Sequence, residues 1–274
     1  MCFSKLPNCQ QEGEKMNLFD SHSHYNDSKF DIDRDEIIKE TLASGVSNFI
    51  VAGYGIDSSK KAIEIASKYE GLYAIVGISP NDLEGIKTEE DIEKNIVEIE
   101  ELAKNEKVVA IGEIGLDYYW DKENKELQKK MFIEQIKLAN KLNLPIVIHT
   151  RDAFADTIEI LKQNSVDKKG IFHCCPLNRE LVKEGLKLGF YISLSGVITF
   201  KNTKNAEDII NMIPEDRLLT ETDSPYLSPE PLRGKRNNSM NVKYVAEKIA
   251  NVKNKTVEEI AEITSNNAKR IFNI

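Results

Sequence analysis

Eight short runs rich in Val, Ile, Leu and Phe alternate with longer stretches of helical period, and that alternation admits very few folds. The runs are Leu18–His24, Val46–Tyr54, Leu72–Ser79, Val108–Leu116, Pro145–Thr150, Gly170–Cys174, Phe190–Gly196 and Leu218–Thr222. Few charges interrupt them, as expected for strands covered on both faces. Between and after them the pattern predicts helices over Asp35–Ser44, Ser58–Tyr69, Thr88–Lys104, Asn124–Leu142, Asp152–Gln163, Asn178–Leu188, Asn205–Met212, Val242–Asn251 and Val257–Phe272. In Ser58–Tyr69, for example, Ala62, Ile65, Ala66 and Tyr69 fall on one stripe. Thr88-Glu89-Glu90-Asp91 offers a capping residue followed by acids, which suits a helix N-terminus. Eight β/α units in 274 residues imply an α/β chain closed into one TIM (β/α)8 barrel domain over residues 17–274. A doubly wound open sheet is the alternative, but it normally carries a glycine-rich phosphate turn after its first strand. Here that strand ends in Asp20-Ser21-His22-Ser23-His24. Residues 1–16 are expected to form a disordered N-terminal extension, and they lack the apolar stretch of a secretory signal.

Composition excludes several classes. A net charge of −8 is the wrong sign for a protein that coats nucleic acid, so a phosphate-rich partner would be held by a few basic loops. No apolar run reaches the roughly 18 residues of a membrane span. Cys2, Cys9, Cys174 and Cys175 make neither a disulfide framework nor a zinc ribbon, which suits a reducing cytoplasm.

The chain has four histidines, and all fall at the expected C-terminal ends of strands: His22 and His24 on the first, His149 on the fifth, His173 on the sixth. That rim is where TIM barrels build active sites. Side chains at i and i+2 of a strand point the same way, so His22 and His24 can bind one cation, and Asp20 is expected on the same face to orient a ligand imidazole. Glu113 near the end of the fourth strand and Asp223 at the end of the eighth place carboxylates in a barrel interior, costly unless paired or bound to a cation. Glu113 has two oxygens and can bridge two metals, which in such sites lie about 3.5–4 Å apart.

These residues sit in stretches that resemble the TatD family of metal-dependent deoxyribonucleases. The stretches are Phe19–His24, Ala110–Tyr118, Pro145–Ala153, Gly189–Gly196, Thr220–Leu227 and Arg233–Asn237, within a resemblance running from about Asn17 to Phe272. The resemblance implies a TIM barrel with one metal on His22, His24, Glu113 and Asp223 and a second on Glu113, His149 and His173. It implies catalytic roles for Glu113 and Asp223 and a nucleic-acid substrate, expected to be single-stranded DNA ends cut exonucleolytically. Two places depart from the family pattern. The third strand ends Gly77-Ile78-Ser79-Pro80-Asn81 instead of Gly-x-His-Pro-His, and His173 is followed by Cys174-Cys175-Pro176-Leu177 instead of Cys-Phe-Ser-Gly.

Two divalent cations would let a water attack phosphorus, with Asp223 accepting or orienting its proton. Imidazole-rich ligation favours Zn²⁺, Mn²⁺ or Co²⁺ over Mg²⁺, whereas the resemblance implies Mg²⁺ or Mn²⁺. Arg151, Arg233, Lys235 and Arg236 are candidate phosphate contacts; the alternative for each is pairing with Asp or Glu. Lys201 and Lys204 are weaker candidates. Tyr118, Tyr119 and Trp120 can stack on bases or pack the loop, and Cys174 and Cys175 are read as small apolar fillers. Competing readings are an amidohydrolase-like enzyme, which would be expected to bridge its metals with a carbamylated lysine, an aminoacyl-tRNA ester hydrolase, and a non-catalytic metal- or nucleic-acid-binding barrel. No obligate protein partner is evident.

Overall fold

The computed structural model describes residues 16–274, so the expectation for the N-terminal extension lies outside the described residues except at Met16, which packs partly buried against the core. Eight parallel strands follow one another around a sheet in sequence order: β1 (Leu18–Ser23), β2 (Val46–Ala52), β3 (Leu72–Val76), β4 (Val108–Asp117), β5 (Ile146–Arg151), β6 (Gly170–Phe172), β7 (Tyr191–Leu194) and β8 (Leu218–Thr220). Seven helices connect them: α1 (Arg34–Ala43), α2 (Ile56–Ser67), α3 (Glu89–Leu102), α4 (Lys125–Leu142), α5 (Phe154–Gln163), α6 (Arg179–Lys187) and α7 (Ala206–Met212). Two more, α8 (Val242–Lys253) and α9 (Val257–Phe272), follow β8. This is the TIM barrel expected from the alternation. No helix of the described residues is long and apolar enough to cross a membrane.

The seam between β1 and β8 is closed by single contacts instead of a continuous ladder. Thr220 Oγ1 donates to the Phe19 carbonyl at 3.1 Å, Asp223 N to the His22 carbonyl at 3.0 Å, and His24 N to the Ser224 carbonyl at 2.6 Å. Side chains alternate between two apolar layers. Phe19, Ile50, Ile75, Val147, Ile171 and Leu219 fill the barrel interior, while residues such as Phe49, Val76, Ile111 and Phe172 pack against the helices. Phe272 of α9 stacks on Phe19 with ring centroids 6.3 Å apart, closing the interior where the strands begin.

Helix ends follow their capping chemistry. Thr88 caps α3 by accepting from Asp91 N at 3.1 Å. Thr256 caps α9 by accepting from Glu259 N, whose carboxylate accepts from Thr256 N in return. Several strands are shorter than expected at the rim: β3 stops at Val76, β6 at Phe172 and β8 at Thr220. Their continuations leave the ladder to form the loops of the mouth. Cys174 and Asp223 both turn with positive φ, 37° and 54°, which ends an extended run.

Candidate metal centre

Local irregularities in two strands aim the central side chains. The register of β4 on β5 slips by one residue between Ile111 and Ile114, a bulge that re-aims Glu113. A similar slip in β1 lies between Asp20 and Ser23, and it corrects the expectation for Asp20. Period-two alternation fails there. Asp20 reaches no imidazole; its carboxylate accepts from Thr222 N at 2.9 Å, Thr222 Oγ1 at 2.5 Å and the His22 backbone N at 3.3 Å. It fastens the β1–β8 seam.

All six expected ligands converge at the C-terminal mouth. Glu113 divides its oxygens. Oε2 lies 3.5 Å from His22 Nε2 and 3.7 Å from His24 Nε2. Oε1 lies 3.0 Å from His149 Nδ1 and 3.5 Å from His173 Nε2. Asp223 Oδ1 lies 3.2 Å from His24 Nε2, and Asp223 also groups closely with His22 and His173. Every one of these residues except His149 and Asp223 is buried, and those two are partly so.

The donor atoms suit divalent cations. A cation about 2.1 Å from each donor sets neighbouring donors roughly 3.0–3.4 Å apart, close to the spacings found. The tautomers agree. His24 Nδ1 lies 3.2 Å from the Ala52 carbonyl, and His149 Nε2 lies 2.9 Å from Asp117 Oδ2. Placing each proton there leaves His24 Nε2 and His149 Nδ1 as acceptors. His149 Nδ1 then faces the acceptor Glu113 Oε1 at 3.0 Å, a contact that needs a cation or a proton between the two atoms. Buried His22 Nδ1 has no hydrogen-bond partner.

The groups are strongly coupled. Burial would raise the Glu113 carboxyl, but the charge of His173 and hydrogen bonds from His149, His173 and His22 hold it well below its usual range. Burial likewise opposes ionisation of His173, yet Glu113 and Glu221 push its imidazole well above the usual value. For His22 burial wins, aided by the charge of His173, and its pKa falls. Asp223 stays ionised despite burial because His24 holds its carboxyl low.

Two supporting carboxylates were not singled out from sequence. Asp117 accepts from His149, from Asn81 Nδ2 at 3.2 Å and from the backbone N of Tyr119 and Trp120. Glu221 Oε1 lies 3.5 Å from His173 Nδ1 and accepts from Cys174 N at 2.6 Å. Asp117 was findable, because it stands four residues beyond Glu113 on one strand and so on the same face. Replacing it with Asn is expected to weaken metal binding about 10–100-fold, measured by calorimetric titration of the chelator-stripped protein. Unchanged affinity would show that His149 needs no partner to hold its tautomer.

The mouth opens into a cavity of about 740 Å³ lined by His24, Glu113, His149, His173 and Asp223, with Trp120 and Arg151 at its edge. The expected phosphate contacts separate here. Arg151 lines the cavity, its guanidinium 3.8 Å from the Tyr119 ring centroid and 5.5 Å from that of Trp120. Arg236 is engaged elsewhere, paired with Asp33 at 2.5 Å and donating to the Lys29 carbonyl at 2.7 Å. Arg233 lies over the Phe200 ring and donates to the Ser228 carbonyl at 3.3 Å. Lys235, Lys201 and Lys204 are exposed and do not line the cavity. Tyr118 is packing, buried with its hydroxyl on Asp156, whereas Tyr119 and Trp120 are exposed. Cys174 lines the cavity with its Sγ 3.2 Å from Ser195 Oγ. Burial and the nearby Asp223 and Glu221 charges push its thiol well up, which disfavours a thiolate and agrees with a filler.

A TIM barrel with imidazoles and carboxylates gathered at its C-terminal mouth defines the class of metal-dependent hydrolases. The model of the TatD related DNase family matches residues 19–273, and the chain belongs to that family. It is 47% identical over 258 residues to the metal-dependent hydrolase YabD of Bacillus subtilis, covering 94% of this chain and 99% of that one. It is 32% identical to the 3'-5' ssDNA/RNA exonuclease TatD of Cronobacter sakazakii, covering 93% and 97%. The crystal structure of YJJV, a TatD homologue from Escherichia coli, superposes with a TM-score of 0.87 at 26% identity over 94% of this chain and 99% of that chain.

Proposed function

We propose that this metal-dependent hydrolase is an exonuclease that cuts phosphodiester bonds at single-stranded DNA ends with two divalent ions. The observation that carries the reading is Glu113, whose two oxygens each face a separate pair of imidazoles. The Cronobacter relative's name and the family description support the nucleic-acid substrate. Divalent cations held there (Mg²⁺, Mn²⁺ or Zn²⁺) would neutralise phosphodiester charge and lower the pKa of a water. Asp223, ionised and facing the cavity, accepts the proton of that water or orients it. His22, His24 and Asp223 with one Glu113 oxygen, and His149 and His173 with the other, would hold the two ions. Arg151 meets a phosphate, and its stacked partners Tyr119 and Trp120 offer exposed faces to bases. Beyond Trp120 and Asn81 lies a second cavity of about 690 Å³, room for more of a chain-like substrate.

The test is hydrolysis of end-labelled single- and double-stranded DNA, together with amide and ester substrates, across Mg²⁺, Mn²⁺ and Zn²⁺. Stepwise shortening of single strands supports the reading; amide hydrolysis with DNA left intact overturns it. Arg151→Ala should weaken single-strand binding and reduce the salt slope of log Kd by about 0.7, one phosphate contact. Arg236→Ala, already neutralised by Asp33, should leave that slope unchanged. Equal slopes for wild type and Arg151→Ala would remove Arg151 from the phosphate path.

A further inference from the structure

The metal centre opens into two lobes of opposite character. The larger, of about 740 Å³, has Arg151 on its wall and no carboxylate besides the expected metal ligands. The smaller, of about 250 Å³, is lined by His24, Asp27, Tyr54, Ser79, Asn81, Asp82, Glu113 and Tyr226. The lobes share His24, Asn81, Glu113 and Tyr226, so a bond held over Glu113 has one flank in each.

The smaller lobe is built for an uncharged group. Tyr54 and Tyr226 flank His24 edge-on, with ring centroids 5.7 and 6.4 Å from it. Asp27 fixes Tyr226 by accepting from its hydroxyl at 2.6 Å. Ser79 and Asn81, which stand where the family pattern has histidines at the end of the third strand, leave the lobe with a hydroxyl and an amide. No Lys or Arg lines it among the described residues; Lys29 lies 4.1 Å from the Tyr226 ring centroid but is not part of the wall. Asp27 and Asp82 make it negative even after Glu113 is counted as a ligand. Its volume of about 250 Å³ is below the roughly 300–1,000 Å³ of a drug-sized pocket, the scale of one nucleoside.

Resting on the nuclease reading above, we propose that the smaller lobe receives the outermost nucleoside of the strand and requires that end to be a free hydroxyl, not a phosphate. The base packs on the tyrosine rings. Asn81 and Ser79 hydrogen-bond it, and the Asp27 and Asp82 carboxylates accept from amino or hydroxyl donors. A terminal phosphate would bring negative charge against those two carboxylates, which repel it. The rest of the strand, with its phosphates, runs out through the lobe that holds Arg151.

The experiment compares four single-stranded oligonucleotides of one sequence, carrying hydroxyl or phosphate at the 5′ end and hydroxyl or phosphate at the 3′ end. With metal-loaded protein, a phosphate at one end is expected to lower kcat/KM at least about tenfold, the effect of a like-charge contact, while at the other end it changes little. The double variant Asp27→Asn, Asp82→Asn should shrink that penalty to less than about threefold. Binding of the same four probes to the Asp223→Asn protein, read by fluorescence anisotropy, should reproduce the order. Equal rates and affinities for all four, or a penalty that survives in the double variant, overturn the end preference and leave the nuclease reading standing. Failure of all four to bind or be cut overturns both.

Discussion

Replacing Glu113 with alanine is expected to abolish both metal positions together and lower hydrolysis at least ~10³-fold, since more is lost than one electrostatic stabiliser. The reason is geometric. Each Glu113 oxygen completes a different trio, Oε2 with His22 and His24 and Oε1 with His149 and His173. Asp223 also groups with one imidazole of each set, His22 and His173, but it is already engaged beside His24 at 3.2 Å, so it does not take over the bridge. Glu113→Gln separates shape from charge. It keeps the side chain's outline but replaces one oxygen with an amide nitrogen that cannot ligate, and one ion should bind where wild type binds two. Calorimetric stoichiometry and turnover are the readouts, with circular dichroism to show that the barrel persists. Wild-type stoichiometry in Glu113→Ala would mean that the imidazoles hold their ions without the carboxylate.

The second large effect is expected at Asp223. Asp223→Asn should cut turnover about 10²–10⁴-fold, the range for loss of a positioned general base, and leave the fold and single-strand binding near wild type. Asparagine keeps the size and tolerates the left-handed backbone found here, φ 54°. The backbone bond from residue 223 to the His22 carbonyl, which helps close the barrel seam, is also kept. What goes is an acceptor held ionised by His24 at the cavity wall. Near-normal hydrolysis by the metal-loaded variant would take the proton-accepting role away from Asp223.

The barrel was legible in the chain because its signals are local and repeated. β-rich runs under helical cover lack charges, and α9 matched its expected bounds because Thr256, Glu259 and Asn273 mark both ends. Strand ends were less legible. Ser79, Cys174 and Thr222 are β-compatible by residue type, but the loops of the mouth, set by long-range contacts, draw them out of the ladder. The ligands stood out because histidine is rare here, four in the chain, whereas Asp and Glu number 45. That abundance hid Glu221, while Asp117 was passed over despite its shared face with Glu113. Asp20 was misplaced because alternation assumes an even strand, and β1 slips by one residue beside it. The Arg236–Asp33 pair joins two loops far apart in the chain, a contact that no local pattern announces.

The most direct test of the central arrangement is anomalous diffraction from crystals soaked in Mn²⁺. The account predicts two peaks about 3.5–4 Å apart, one beside each Glu113 oxygen, with His22 and His24 on one and His149 and His173 on the other. A single peak away from Glu113, or none at the mouth while the soaked protein hydrolyses substrate, would contradict it.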